Sequence, residues 1–143
     1  MKRGFTLYEM LLVVASLAIL LGITTPVYYN FSSRNDLDNA ATLSTLALRT
    51  AHQRARGVEH DDAWGVYATT SAIYIYKGTD FLARDPLYDE RIDISGAVQI
   101  SGTDNFVFEK FTGIPVTSGM LVLESGTEGA RSIAVNAAGT VSY

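Results

Sequence analysis

Few residues in this chain are equipped for chemistry. Cysteine is absent, so thiol catalysis and disulfides are excluded. The two histidines, His52 and His60, stand eight apart with no partner pattern around them. No G-x-S-x-G, no phosphate-binding glycine loop and no metal-type His spacing occurs. The expectation is therefore no enzyme, no catalytic residue and no cofactor. Two acidic runs, "HDD" at 60–62 and "DPLYDE" at 85–90, carry the oxygen ligands that Ca²⁺ takes. Neither has a recognisable ligand spacing, and solvated loop acids are the simpler reading, so no metal site is assigned. That leaves one carboxylate in an unusual place. In "RGFTLYE", residues 3–9, Glu9 stands at the mouth of an apolar segment, where an ionised acid is costly.

The element holding Glu9 is a hydrophobic one. "MLLVVASLAILLGI", Met10 to Ile23, has no charge. As a helix those residues span about 21 Å, short of a hydrocarbon core of about 30 Å. Residues 5–31 reach membrane length only by including Glu9. Lys2 and Arg3 put the N-terminus on the cytoplasmic side. A secretory signal peptide needs small residues in an A-x-A arrangement after the apolar core, and "GITTPVYYNF" is a poor site. A plain signal anchor explains length and orientation but leaves Glu9 as an expensive accident. In a third reading Glu9 is the functional residue.

"RGFTLYE" resembles the processing site of type IV prepilins and pseudopilins. The resemblance rests on Gly4, Phe5 and Glu9, with Thr6 and Leu7 fitting, Tyr8 departing from the usual aliphatic residue, and Pro26 standing 21 residues after Phe5. It implies that a prepilin peptidase cuts after Gly4 and methylates the new amine of Phe5. It also implies that the subunit waits in the inner membrane as a single-pass precursor. With an assembly platform it then joins other pilins in a homo-oligomeric filament, an extracellular pilus or a periplasmic pseudopilus. The physical logic agrees. Cleavage leaves nine basic against fifteen acidic side chains, a formal −6 instead of −4. An isolated buried charge is unfavourable and a paired one is tolerated. The Phe5 amine of a neighbour can pair with Glu9, which penalises the lone subunit and selects one axial register. Snorkelling of Glu9 to the interface is the alternative account.

Beyond the apolar run, Pro26 removes a helix hydrogen bond and Gly22, Thr24 and Thr25 are weak helix formers, so a kink is expected there. Residues 32–57 read as an amphipathic helix ending at Gly57. Leu37, Ala40, Ala41, Leu48, Ala51 and Ala55 fall on one side, with Leu43, Leu46 and Ala47 beside it. Asp36 and Asp38 near the start and Arg49, Arg54 and Arg56 near the end match the helix dipole. Arg49, His52 and Arg56 share a face that suits DNA, but the dipole explains the same residues and the head is acidic, so DNA is the weaker reading.

Past Gly57 the period changes. "WGVYA" and "AIYIYK" alternate around "TTS" and predict a hairpin. Trp64, Val66, Ile73 and Ile75 should face the core, and Tyr67, Tyr74 and Tyr76 the opposite side. Six further short apolar runs separated by turn residues complete an antiparallel head over 58–143. The expected fold is α+β: residues 1–4 a leader, 5–31 a hydrophobic helix, 32–57 an amphipathic helix, packed on one antiparallel sheet. The last 40 or so residues also resemble the minor pseudopilin H group of type II secretion, which keeps that member of the class as an alternative. From another class, a membrane-anchored extracytoplasmic binding or enzymatic domain remains.

Overall fold

The structure, a computed structural model, describes residues 5–126 and 129–143, with the backbone alone at 23–30. The leader at 1–4 therefore lies outside what is described; the backbone at Pro26, where a kink is expected, is helical. Its contacts divide the chain into two units, Met1–Ser32 and Ser33–Tyr143. Helical backbone, α1, runs over Leu7–Arg56 and contributes to both. Among the described residues no helix is long and apolar enough to cross a membrane.

In the second unit α1 turns a narrow stripe inward. Leu37, Ala40, Ala41, Ser44, Ala47, Leu48, Ala51 and Ala55 are all buried. Most are small, which lets strands approach the helix closely. Ser44 and Thr45 are buried because their hydroxyls donate to Ala40 O (2.7 Å) and Ala41 O (2.8 Å). That internal bond removes the cost of burying an unpaired hydroxyl. Leu46, expected beside the apolar face, is 57 % exposed. The helix ends where its period does, with Gly57 N–H donating to Gln53 O at 2.8 Å.

Eight strands follow: β1 Trp64–Ala68, β2 Ala72–Lys77, β3 Glu90–Asp93, β4 Gln99–Gly102, β5 Asn105–Phe108, β6 Gly119–Glu124, β7 Ala130–Val135 and β8 Val141–Ser142. The fold is α+β, but the single expected sheet is two. One runs β3-β2-β1-β5 and the other β4-β6-β7-β8, both antiparallel. The chain changes sheet at each step from β3 to β6. A helix is about 10–12 Å wide and strands lie about 4.8 Å apart, so one helix covers two or three strands well. Two four-stranded sheets bury more apolar surface against one helix than a flat sheet of eight. The common core joins Leu37, Leu48 and the helix alanines to Trp64, Val66, Ile73, Ile75, Phe106 and Phe108 of the first sheet. Leu121, Leu123, Ile133, Val135 and Val141 of the second complete it. The expected hairpin forms, with Val66 opposite Ile75.

Strand β5 stops at Phe108, earlier than its apolar run to Phe111. Phe111 takes φ 70° and its N–H donates to Ala55 O at 3.1 Å, satisfying a carbonyl at the end of α1.

The outer face of the first sheet holds a second small core. Tyr67, Tyr74 and Tyr76 lie away from the helix as the alternation requires, but loop 78–89 covers them. Phe81 stacks on Tyr67 at 4.2 Å between ring centres and meets Tyr76 at 5.4 Å. Tyr76 is fully buried with Ala63 and Val107, and its hydroxyl donates to Asn105 Oδ1 at 2.7 Å. Burial pushes its phenol up to about 12.

Candidate functional site

The first unit begins with a cap. Thr6 N–H and Thr6 Oγ1 both donate to Glu9 Oε2 at 2.9 Å, and Glu9 N–H donates back to Thr6 Oγ1 at 3.3 Å. This is a capping box, Thr at the N-cap and Glu three residues on, and it satisfies donors that the first helical turn leaves open. The expectation for Glu9 is a carboxylate without a counter-charge in its own chain; Thr6 supplies hydrogen bonds and no charge, and the T-x-x-E spacing before an apolar run is the sequence signal for that cap. Both bonds fall on one oxygen. Among the described residues Oε1 accepts none, so a cation can approach it without breaking the cap.

Phe5 is 81 % exposed, and every residue from Phe5 to Gly22 is exposed. The large apolar side chains point in all directions around the helix: Leu7, Leu11, Leu12, Val14, Leu17, Ile19, Leu20 and Leu21 among them. The polar exception, Ser16, donates its hydroxyl to Leu12 O at 2.8 Å, which leaves the stretch from Met10 to Gly22 without an unbonded side-chain donor. Gly4 lies outside the described residues, and so does the side chain of Pro26. The structure thus brings Phe5 and Glu9 to one helix end.

The other candidates go to separate places. Arg49 and Arg56 are exposed, but His52 turns inward. Its ring packs edge-on against Phe108 at 5.4 Å. Two loops close over it at Gly113 and Gly139, both with positive φ, where an added Cβ would stand 2.8 Å and 2.9 Å from Nε2. Burial, and then the charge of Arg56, hold the imidazole below its usual range. Folding therefore favours neutral His52. That stability is present above the unfolded pKa of about 6.5 and is lost as pH falls below it. The detergent-solubilised chain should melt at a lower temperature at about pH 5.5 than at about pH 7.5, and His52→Gln should shrink that difference. An unchanged pH dependence in the variant would show that His52 is not the titrating group.

The acidic runs are engaged with protein groups. Asp61 pairs with Lys110 at 2.8 Å, and Asp62 Oδ1 accepts Ala63 N–H at 2.8 Å. Asp89 pairs with Arg84 at 2.7 Å, and Glu90 pairs with Arg54. Among the described residues no three His, Cys, Asp or Glu side chains converge as a metal site would need.

No protein-family model matches the chain, and no solved structure matches it.

Proposed function

We propose that this chain is a type IV pilin-like subunit that enters the membrane through its N-terminal helix and assembles through the same helix into a filament. One observation carries the reading: the stretch of α1 from Leu7 to Gly22 is apolar all round with every side chain exposed, and it is headed by a carboxylate whose Oε1 accepts no hydrogen bond among the described residues. A helix of that kind is stable only in lipid or among other apolar helices. The two environments correspond to the precursor and the filament. The Thr6–Glu9 cap survives cleavage after Gly4, because the N–H it uses belongs to Thr6 and not to the new terminus. Glu9 Oε1 is then the atom that meets the Phe5 amine of a neighbouring subunit. A hydrophobic helical half, an amphipathic helical half and a β head, in that chain order, are the elements this role requires.

The mature protein should lack residues 1–4 and carry one methyl on Phe5, read from the intact mass of the native protein. Gly4→Val should remain unprocessed, because glycine allows the closest approach of backbone to a peptidase. An intact Met1 in the native protein would instead support a plain membrane anchor.

A further inference from the structure

Two surfaces of the second unit complement each other. The first is loop 78–89, on the outer face of the first sheet. It displays Leu82 and Leu87 at 90 % and 89 % exposure. Each sits in a single 3₁₀ turn, Phe81–Ala83 and Pro86–Tyr88. Asp80 Oδ1 accepts Leu82 N–H at 3.2 Å, and Asp85 Oδ1 accepts Leu87 N–H at 3.1 Å. Arg84 ties the loop together, donating to Asp89 Oδ2 and to Phe81 O at 2.7 Å each, with its guanidinium 3.7 Å from the centre of the Phe81 ring. The loop holds its shape through bonds that leave both leucines bare, so little ordering remains to be lost when they dock.

The second surface is a groove of about 390 Å³ lined by Asp38, Thr42, Thr45, Leu46, Arg49 and Tyr143. Its apolar members are open: Leu46 is 57 % exposed and Tyr143 66 %. Asp38 is neutralised by Arg131 at 2.9 Å. Arg49 is exposed and makes no ion pair among the described residues, which leaves the groove with a positive rim. The loop has the opposite rim, since Asp80 and Asp85 are exposed and pair with no cation among the described residues. The loop sits on the first sheet and the groove beside β8, the edge of the second, so one head carries both surfaces without overlap.

We propose that loop 78–89 of one subunit seats in this groove on a second copy of the chain, Leu82 and Leu87 against Leu46 and Tyr143, Asp85 against Arg49. The contact joins two different patches, so one copy can receive a neighbour's loop while its own loop seats on another. It rests on the filament reading only for the high local concentration of heads.

The chain has no cysteine, which allows a direct test in full-length protein in its native membranes. One tagged copy carries Leu87→Cys and a differently tagged copy carries Leu46→Cys. After oxidation with copper phenanthroline, a mixed dimer is expected and neither variant alone should dimerise. Arg49→Glu in the Leu46→Cys copy should lower the yield about fivefold, the scale of an exposed ion pair, and Asp85→Arg in the other copy should restore it. Absence of the mixed dimer while both thiols react with maleimide overturns the proposal. So does a dimer of Leu87→Cys with itself, or its capture by a different protein. Filaments of the unsubstituted chain are scored in parallel. Filaments without the mixed dimer overturn this contact and leave the filament reading standing; the mixed dimer without filaments supports the contact alone.

Discussion

Filaments sheared from cells that co-express both forms should contain far fewer Glu9→Gln subunits than unsubstituted ones, with membrane levels matched. Glutamine is the replacement that separates two roles of Glu9. A capping box accepts Gln as well as Glu at its third position, so the bonds from Thr6 N–H and Oγ1 that converge on Oε2 can persist. Only the charge leaves. Glu9→Ala removes charge and cap together, the cap being worth about 1 kcal/mol. If the carboxylate acts by neutralising a neighbour's Phe5 amine, Gln resembles Ala. If it acts as a helix cap, Gln resembles Glu. Breaking one side of a buried pair costs about 3–5 kcal/mol, enough for about a hundredfold loss of incorporation. Membrane insertion should not suffer, because a costly charge has been removed, and processing should continue because the cut lies on the far side of Phe5. Thr6→Ala is the complementary control: it weakens the cap, keeps the charge and should incorporate nearly normally. Equal incorporation of Glu9→Gln and the unsubstituted subunit would sink the charge-pairing account and leave Glu9 as a cap.

The largest effect on stability is expected from a single methyl. Gly65 lies opposite Tyr76 across β1 and β2, and the Tyr76 ring covers it so closely that any Cβ there would penetrate the ring. The ring cannot move aside. It is fully buried, packed against Phe81, and held by its hydroxyl to Asn105. Gly65→Ala should therefore cost about 2–3 kcal/mol by overpacking, read as a lower urea midpoint of the detergent-solubilised chain. In a Tyr76→Leu background the same change should cost much less, since the two residues share one space and their effects do not add. The buried phenol supplies an independent readout. Its folded pKa lies above the ordinary value, at about 12, so folding favours the neutral form. That contribution is present below about pH 10 and is lost as pH rises through about 12. A Gly65→Ala protein with an unshifted midpoint would mean that loop 78–89 lifts freely and that this outer core adds little.

The features legible from the residues alone were those governed by neighbours a few positions away. The inward stripe of Leu37, Ala40, Ala41, Leu48, Ala51 and Ala55, the stop at Gly57 and the β1–β2 hairpin all follow from helical period, turn residues and alternation. The Thr6–Glu9 cap belongs to the same local class, since T-x-x-E before an apolar run is its signature. The tertiary structure alone decided the rest. Strands of four residues such as β3, β4 and β5 carry too little pattern to show which sheet they join, and a helix too narrow to cover eight strands separates them into two. Tyr76 lies on the predicted face, but its burial depends on a loop that returns from residues 78–89. His52 has the spacing of Arg49 and Arg56, yet Gly113 and Gly139, more than sixty residues away, half-bury it by supplying surfaces without side chains. Periodicity tells which side of an element a residue occupies. Whether that side meets solvent, a loop or another element depends on distant segments whose approach leaves no mark in the local pattern.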